Sequence, residues 1–133
     1  MDATRQRILP HASHTREDRA TAYRAMHFAA ELLHAAGASA VLDAPYGHPE
    51  DRAVLKRISN GSYRLIECRV APEVAVARLK ARGLPDPTRP DLTEDLVEHL
   101  HREYPYSHEG LLLDTNRLSF EECLARIDAF LAG

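Results

Sequence analysis

The chain has 133 residues, 44% hydrophobic and 28% charged, with a formal charge of −3. That length holds one packed domain with a real core and no need of disulfide or metal staples, and the small negative charge excludes a broad attraction to nucleic acid or anionic membrane. Cys68 and Cys123 lie far apart with no C-x-x-C pair, so they read as reduced, buried thiols and not as a disulfide framework or metal site.

Residues 1–15 are mixed in character, and Pro10 breaks any helix begun at Asp2. Thr15 is placed to cap a helix from about Arg16 to Ala36, with Ala22, Met26, Ala29, Leu33 and Ala36 recurring along one face. Gly37 follows where a left-handed cap would end it. Ser39-Ala-Val-Leu-Asp43 is a short apolar run ending in a carboxylate, the pattern of a buried strand. Pro49 can open the next helix at its first position, and Asn60-Gly61 closes it. Tyr63 to Val70 is the second predicted strand, and Pro72 starts a helix reaching about Arg82. Residues 83–92 hold three prolines and a glycine, the strongest loop signal in the chain. Thr93 caps a helix to about Tyr104, with Leu96, Val97 and Leu100 inward. Leu111-Leu-Leu-Asp114 is a third short strand. Ser119 then caps the final helix, with Glu122 three residues on as a capping box and Phe120, Leu124, Ile127 and Leu131 as the inward face.

Short strands alternating with longer helices predict a parallel α/β sheet with helices on both faces. Ligands of such sheets collect at the carboxyl ends of the strands. Asp43 and Asp114 end two predicted strands there, although aspartate serves equally well as a turn cap. No apolar run approaches a membrane span and the amino terminus has no signal-peptide core, so a cytoplasmic protein is expected.

Lys56 and Lys80 are the only lysines among 17 basic residues. Codon bias in a GC-rich genome accounts for that, yet arginine also suits bidentate phosphate recognition. The eight histidines include His11-x-x-His14 and His99-x-His101. Residues two apart on a helix diverge, and the first pair has no third ligand nearby, so neither is expected to bind metal. Tyr104-Pro-Tyr106 fills core or lines a pocket. A serine nucleophile has no G-x-S-x-G elbow here.

Several pieces in order resemble the P-loop small-molecule kinases, a broad group that includes zeta-toxin-like and adenylate-kinase-like proteins. Asp2 and Arg5 at the start are spaced like a D-x-x-R that follows the family's second strand. Arg19, Tyr23, Arg24 and Met26, leading into an alanine-rich helix, look like the helix before its third strand. Ala40-Val-Leu-Asp43-Ala44, with Arg52 in the following helix, looks like its V-L-D-A … R segment. Leu65-Ile-Glu-Cys68, Pro72-Glu73 and Arg78-Leu-x-x-Arg82 look like the fourth strand and lid helix. Leu113-Asp114-Thr115 with Glu121-Glu122 looks like the last strand and closing helix.

The resemblance implies an α/β P-loop-kinase-like sheet with helices on both faces, one domain over 1–133, and a lid-like segment at about 78–92. It implies ATP and Mg2+ as cofactors and a small hydroxylated molecule as acceptor, with no nucleic-acid or membrane partner. Asp2 would orient the acceptor hydroxyl as base, and Asp43 would lie close to metal and phosphates. Arg78, Arg82 and Arg89 would close over nucleotide phosphates, while Arg5 and Arg52 would hold the acceptor. The departure from the pattern is equally informative. A phosphate-binding loop needs glycines whose amides close around phosphates, then a lysine and a hydroxyl. Neither Lys56 nor Lys80 stands in a G-K-S/T context, and no glycine-rich loop precedes a helix.

In the family that loop follows a first, central strand, so the pattern here is truncated at its amino end. Three arrangements stay open. The chain begins at an internal methionine; the strands predicted at 39–43 and 63–70 close up and pair directly; or a strand-completing partner, including a second copy, fills the gap. Weak or absent ATP binding and no turnover are expected of these residues. The alternative is a degenerate, non-catalytic α/β module that binds a partner chain or an acceptor-like ligand.

Overall fold

The computed structural model describes residues 2–9, 11, 15–83 and 93–133, with Asp2 described as backbone only. Among them are α1 (Asp2–Ile8), α2 (Arg16–Ala35), α3 (Pro49–Ile58), β1 (Ile66–Arg69), α4 (Pro72–Ala81), α5 (Glu94–Glu103), β2 (Leu111–Asp114) and α6 (Phe120–Ala132). The class is mixed α/β. The chain forms two compact units, Met1–Tyr63 and Arg64–Gly133. The first is helical and the second holds the sheet.

Local signals set the helix ends. The Thr15 hydroxyl accepts from the Asp18 amide at 3.1 Å, and the Asp18 carboxylate accepts from the Thr15 amide in return, a complete capping box. Ser119 and Glu122 repeat the device at α6, with distances of 3.2 and 2.7 Å. The Ser119 amide, and then the Ser119 hydroxyl, hold the Glu122 carboxyl below its usual range. The Ser119→Ala variant is expected to lose about 1 kcal/mol of helix stability. Faster amide exchange in the first turn of α6 checks this, and an unchanged rate would contradict it. Asn60 and Gly61 end α3 with φ of 50° and 79°, the left-handed turn that glycine tolerates without strain.

In the first unit α2 packs on both α1 and α3. Its buried residues are Ala22, Tyr23, Met26, His27 and Ala30, so the stripe is turned from the one expected, and Leu33 is exposed. Tyr46, Arg52 and Leu55 complete this core. Half of it carries polar atoms.

In the second unit β1 and β2 run parallel, with Ile66 opposite Leu111 and Arg69 opposite Asp114. Between them the chain crosses over through α4 and α5, which pack on each other. Leu113 is the one fully buried large side chain among the described residues, at 1% exposure. The 2.9 Å bonds from Leu111 N to Leu65 O and from Thr115 N to Arg69 O extend the ladder by one step at each end.

Two expectations about strands are corrected. Residues 39–43 form no strand, and Val41 is 99% exposed. An extended segment needs a neighbour to take its amides and carbonyls, and among the described residues the sheet consists of β1 and β2. The second predicted strand is shorter than expected because, among the described residues, β1 pairs on one side only, with a partner of four residues.

The same small sheet explains two further differences. Phe120, Leu124 and Leu131 of α6 were expected inward but are exposed, since two short strands offer too little surface to cover a helix face. Cys68, expected buried, is exposed, and Cys123 is half-buried; neither forms a disulfide. No helix among the described residues is long and apolar enough to cross a membrane.

Candidate functional site

The carboxyl end of the parallel pair is where an α/β sheet offers a site. Register places Arg69 beside Asp114 there. The Thr115 hydroxyl donates to the Arg69 carbonyl at 2.8 Å and accepts from Arg78 Nη1 at 3.2 Å. A second Arg78 nitrogen donates to the Thr115 carbonyl. The Asp114 carboxylate accepts from the amide and side-chain nitrogen of Asn116, at 3.1 and 2.8 Å.

Asn116 in turn accepts from the Ala71 amide at 3.0 Å, and the Tyr106 hydroxyl accepts from the Val70 amide at 3.1 Å. The first two amides after β1 are thus met by side chains. These bonds close over the strand ends, where Arg78 meets Thr115 and Arg117 Nε stands 3.8 Å from the Asp114 carboxylate. Arg82 caps α4 one turn further on and is exposed. Arg89 lies outside the described residues.

The loop entering β2 is fixed by Glu67 of β1. Its carboxylate accepts from the Ser107 amide at 2.6 Å and the His108 amide at 3.0 Å. Charge-assisted bonds of this kind are among the stronger ones in proteins. Lys80 and Glu94 pair at 2.6 Å between α4 and α5, but both are exposed, so the pair adds little to stability.

The remaining expected site residues fall in the first unit. Asp2 and Arg5 lie on α1, and Asp43 is exposed in the segment after α2. Arg52 is buried on α3 at 6% exposure, where Nη1 donates at 2.8 Å to each of the Tyr46 and Gly47 carbonyls. The guanidinium therefore anchors the loop that follows Asp43. An acceptor molecule would have to compete with two backbone carbonyls for that nitrogen.

Around Arg52 sits a cluster that the sequence did not single out. The Tyr23 hydroxyl donates to the Pro45 carbonyl at 2.5 Å. His27 Nε2 and the Tyr46 hydroxyl are 3.2 Å apart, and their rings stack with centroids 5.9 Å apart. Tyr23 meets both rings edge-on at 5.7 Å. Burial lowers the His27 pKa; Asp51 opposes this and Arg57 adds to it. Burial, and then Asp51, push the Tyr46 phenol far up, so it keeps its proton. Burial raises the Asp51 pKa as well, against His48. A neutral imidazole beside a protonated phenol can respond to acid, but it has no nucleophile to activate. The usable sequence signal was the i, i+4 spacing of Tyr23 and His27 opposite a loop bounded by Pro45 and Pro49.

Among the described residues no group of three or more histidine, cysteine, aspartate or glutamate side chains is placed to hold a metal ion. The glycine-lysine loop that would cradle a nucleotide triphosphate is not in the sequence. Comparison with known protein families, with curated proteins and with solved structures finds no match to this chain.

Proposed function

We propose that this chain is a phosphotransferase-family domain of P-loop kinase type, ATP-dependent where a phosphate-binding loop accompanies it, with a small hydroxylated molecule as acceptor. The observation that carries the reading is Arg78, which α4 brings to the carboxyl end of the parallel pair beside Asp114 and Thr115. Phosphoryl transfer asks for positioned charge more than for covalent chemistry, and a cation at that edge of a sheet is a means of supplying it. Arg82 follows on the same helix face, one turn on. In this reading Asp2 and Asp43 are the carboxylates of the reaction, Arg5 holds the acceptor, and Arg52 acts on the loop after Asp43.

These 133 residues alone have no cradle for a triphosphate, so no step through ATP is assigned to them. A second reading is a non-catalytic α/β module that binds a partner chain or an acceptor-like ligand. It is favoured by the engagement of both Arg52 and Arg78 with protein groups. The coding frame upstream of Met1 separates the two. A strand pattern followed by G-x-x-x-x-G-K-S/T supports the phosphotransferase, and an in-frame stop codon directly upstream sinks it in favour of the module.

A further inference from the structure

We propose that Tyr23, His27, Tyr46 and Arg52 form a proton-operated latch, in which a proton taken up by buried His27 releases the Pro45–Gly47 loop from α2 and α3. This does not depend on the phosphotransferase reading.

The loop is held by side chains. The carbonyls of Pro45, Tyr46 and Gly47 each accept from Tyr23 or Arg52. The Tyr46 ring is closed in by His27 and Tyr23 at 8% exposure. His27, at 9% exposure, is the member of this set whose charge changes in the physiological range. While it is neutral, the phenol can donate to Nε2. Once Nε2 carries a proton the phenol must turn to accept, and its own proton loses that partner. The imidazolium is also poorly solvated where it stands.

The surrounding charges give it little help. On α3, Asp51 attracts a proton to His27 and Arg57 repels it. Arg52 of the same helix is a further cation beside the loop, and His48 acts on Asp51. α1, which also packs on α2, carries Arg5 and Arg7 in its last turn, cations that cannot offset another positive charge. Tyr46 keeps its proton in this range. Asp51 is thus the attractive charge, and burial raises its pKa, so it begins to lose that charge earlier in acid than an ordinary carboxylate does.

The closed latch binds the His27 proton less readily than the open one, whose solvated imidazole has the ordinary histidine value of about 6.5. Closure is therefore most favoured above that value. It weakens as pH falls through the lowered pKa and changes no further, through this group, once both forms are protonated.

The test is chymotryptic cleavage after Tyr46, normalised at each pH to a peptide of residues 43–50, with circular dichroism recorded in parallel. Between about pH 7.5 and about pH 5.5 the normalised rate should rise severalfold with helix content unchanged, because the open form takes up the His27 proton more readily than the closed one. In the His27→Gln variant, which can bond the phenol but not titrate, the rate should be flat. A rise that persists in that variant overturns the proposal. If the variant does not fold, the wild-type protein decides alone. A flat wild-type rate, or a His27 imidazole resonance that titrates at or above the ordinary value, overturns it too.

Discussion

Replacing Arg52 with methionine is expected to destabilise the amino-terminal unit by about 3 kcal/mol, since each lost bond to a charged donor is worth about 1.5–3 kcal/mol. The stem of the side chain is kept, so packing changes little. What goes is one nitrogen that bridges the carbonyls of Tyr46 and Gly47 at 2.8 Å each. Both oxygens then lose their charged donor, and the Tyr46 carbonyl lies on a residue only 8% exposed. Urea unfolding followed through the amide resonances of α2 and α3 measures the effect. The exposed Lys56→Met change on the same helix should stay within about 0.5 kcal/mol. Equal effects of the two substitutions would show that the Arg52 anchor contributes nothing.

The carboxy-terminal unit has its own sensitive position in Gly110. A β-carbon there would lie 2.7 Å from the Leu65 carbonyl carbon and would collide with its oxygen. These are backbone atoms next to the first ladder bond, Leu111 N to Leu65 O. No side chain can move aside to make room. Gly110→Ala must therefore push β2 away from β1, and overpacking of this kind costs about 1–3 kcal/mol. We expect the upper end, because a ladder of four residue pairs has no further strand to hold it. Loss of amide protection at Leu111 and Leu113 is the readout. Retained protection in the alanine variant would mean that the two strands are not as close as described.

Features governed by adjacent residues were legible in the sequence. The caps at Thr15 and Ser119, the proline starts at Pro49 and Pro72, and the turn at Asn60-Gly61 all stand where their chemistry put them. β2 was legible to the residue, because Leu111-Leu-Leu-Asp114 is followed at once by a turn that Asp114 itself caps. Strand 39–43 was not, because a strand exists only with a neighbour, and no local signal reports whether one is present. The same reason cut Tyr63–Val70 down to Ile66–Arg69.

The inward face of α2 was misjudged because apolar character was used to locate it. Tyr23 and His27 are buried there through bonds to a loop about twenty residues later. Arg52 shows the matching limit for sites. Its position after an apolar run ending in Asp43 drew attention, but only the fold reveals that two carbonyls converge on it. Arg78 was legible as a residue of interest from its i, i+4 spacing with Arg82. Its bond to Thr115 was not, since 37 residues separate them.

These residues contain no phosphate-binding loop, and titration calorimetry of the 133-residue chain with ATP and Mg2+ tests the consequence most directly. No binding heat should appear up to about millimolar nucleotide, where association is worth only about 4 kcal/mol. A saturable isotherm with a micromolar Kd would contradict this, because the chain would then hold a triphosphate without a glycine-lysine loop.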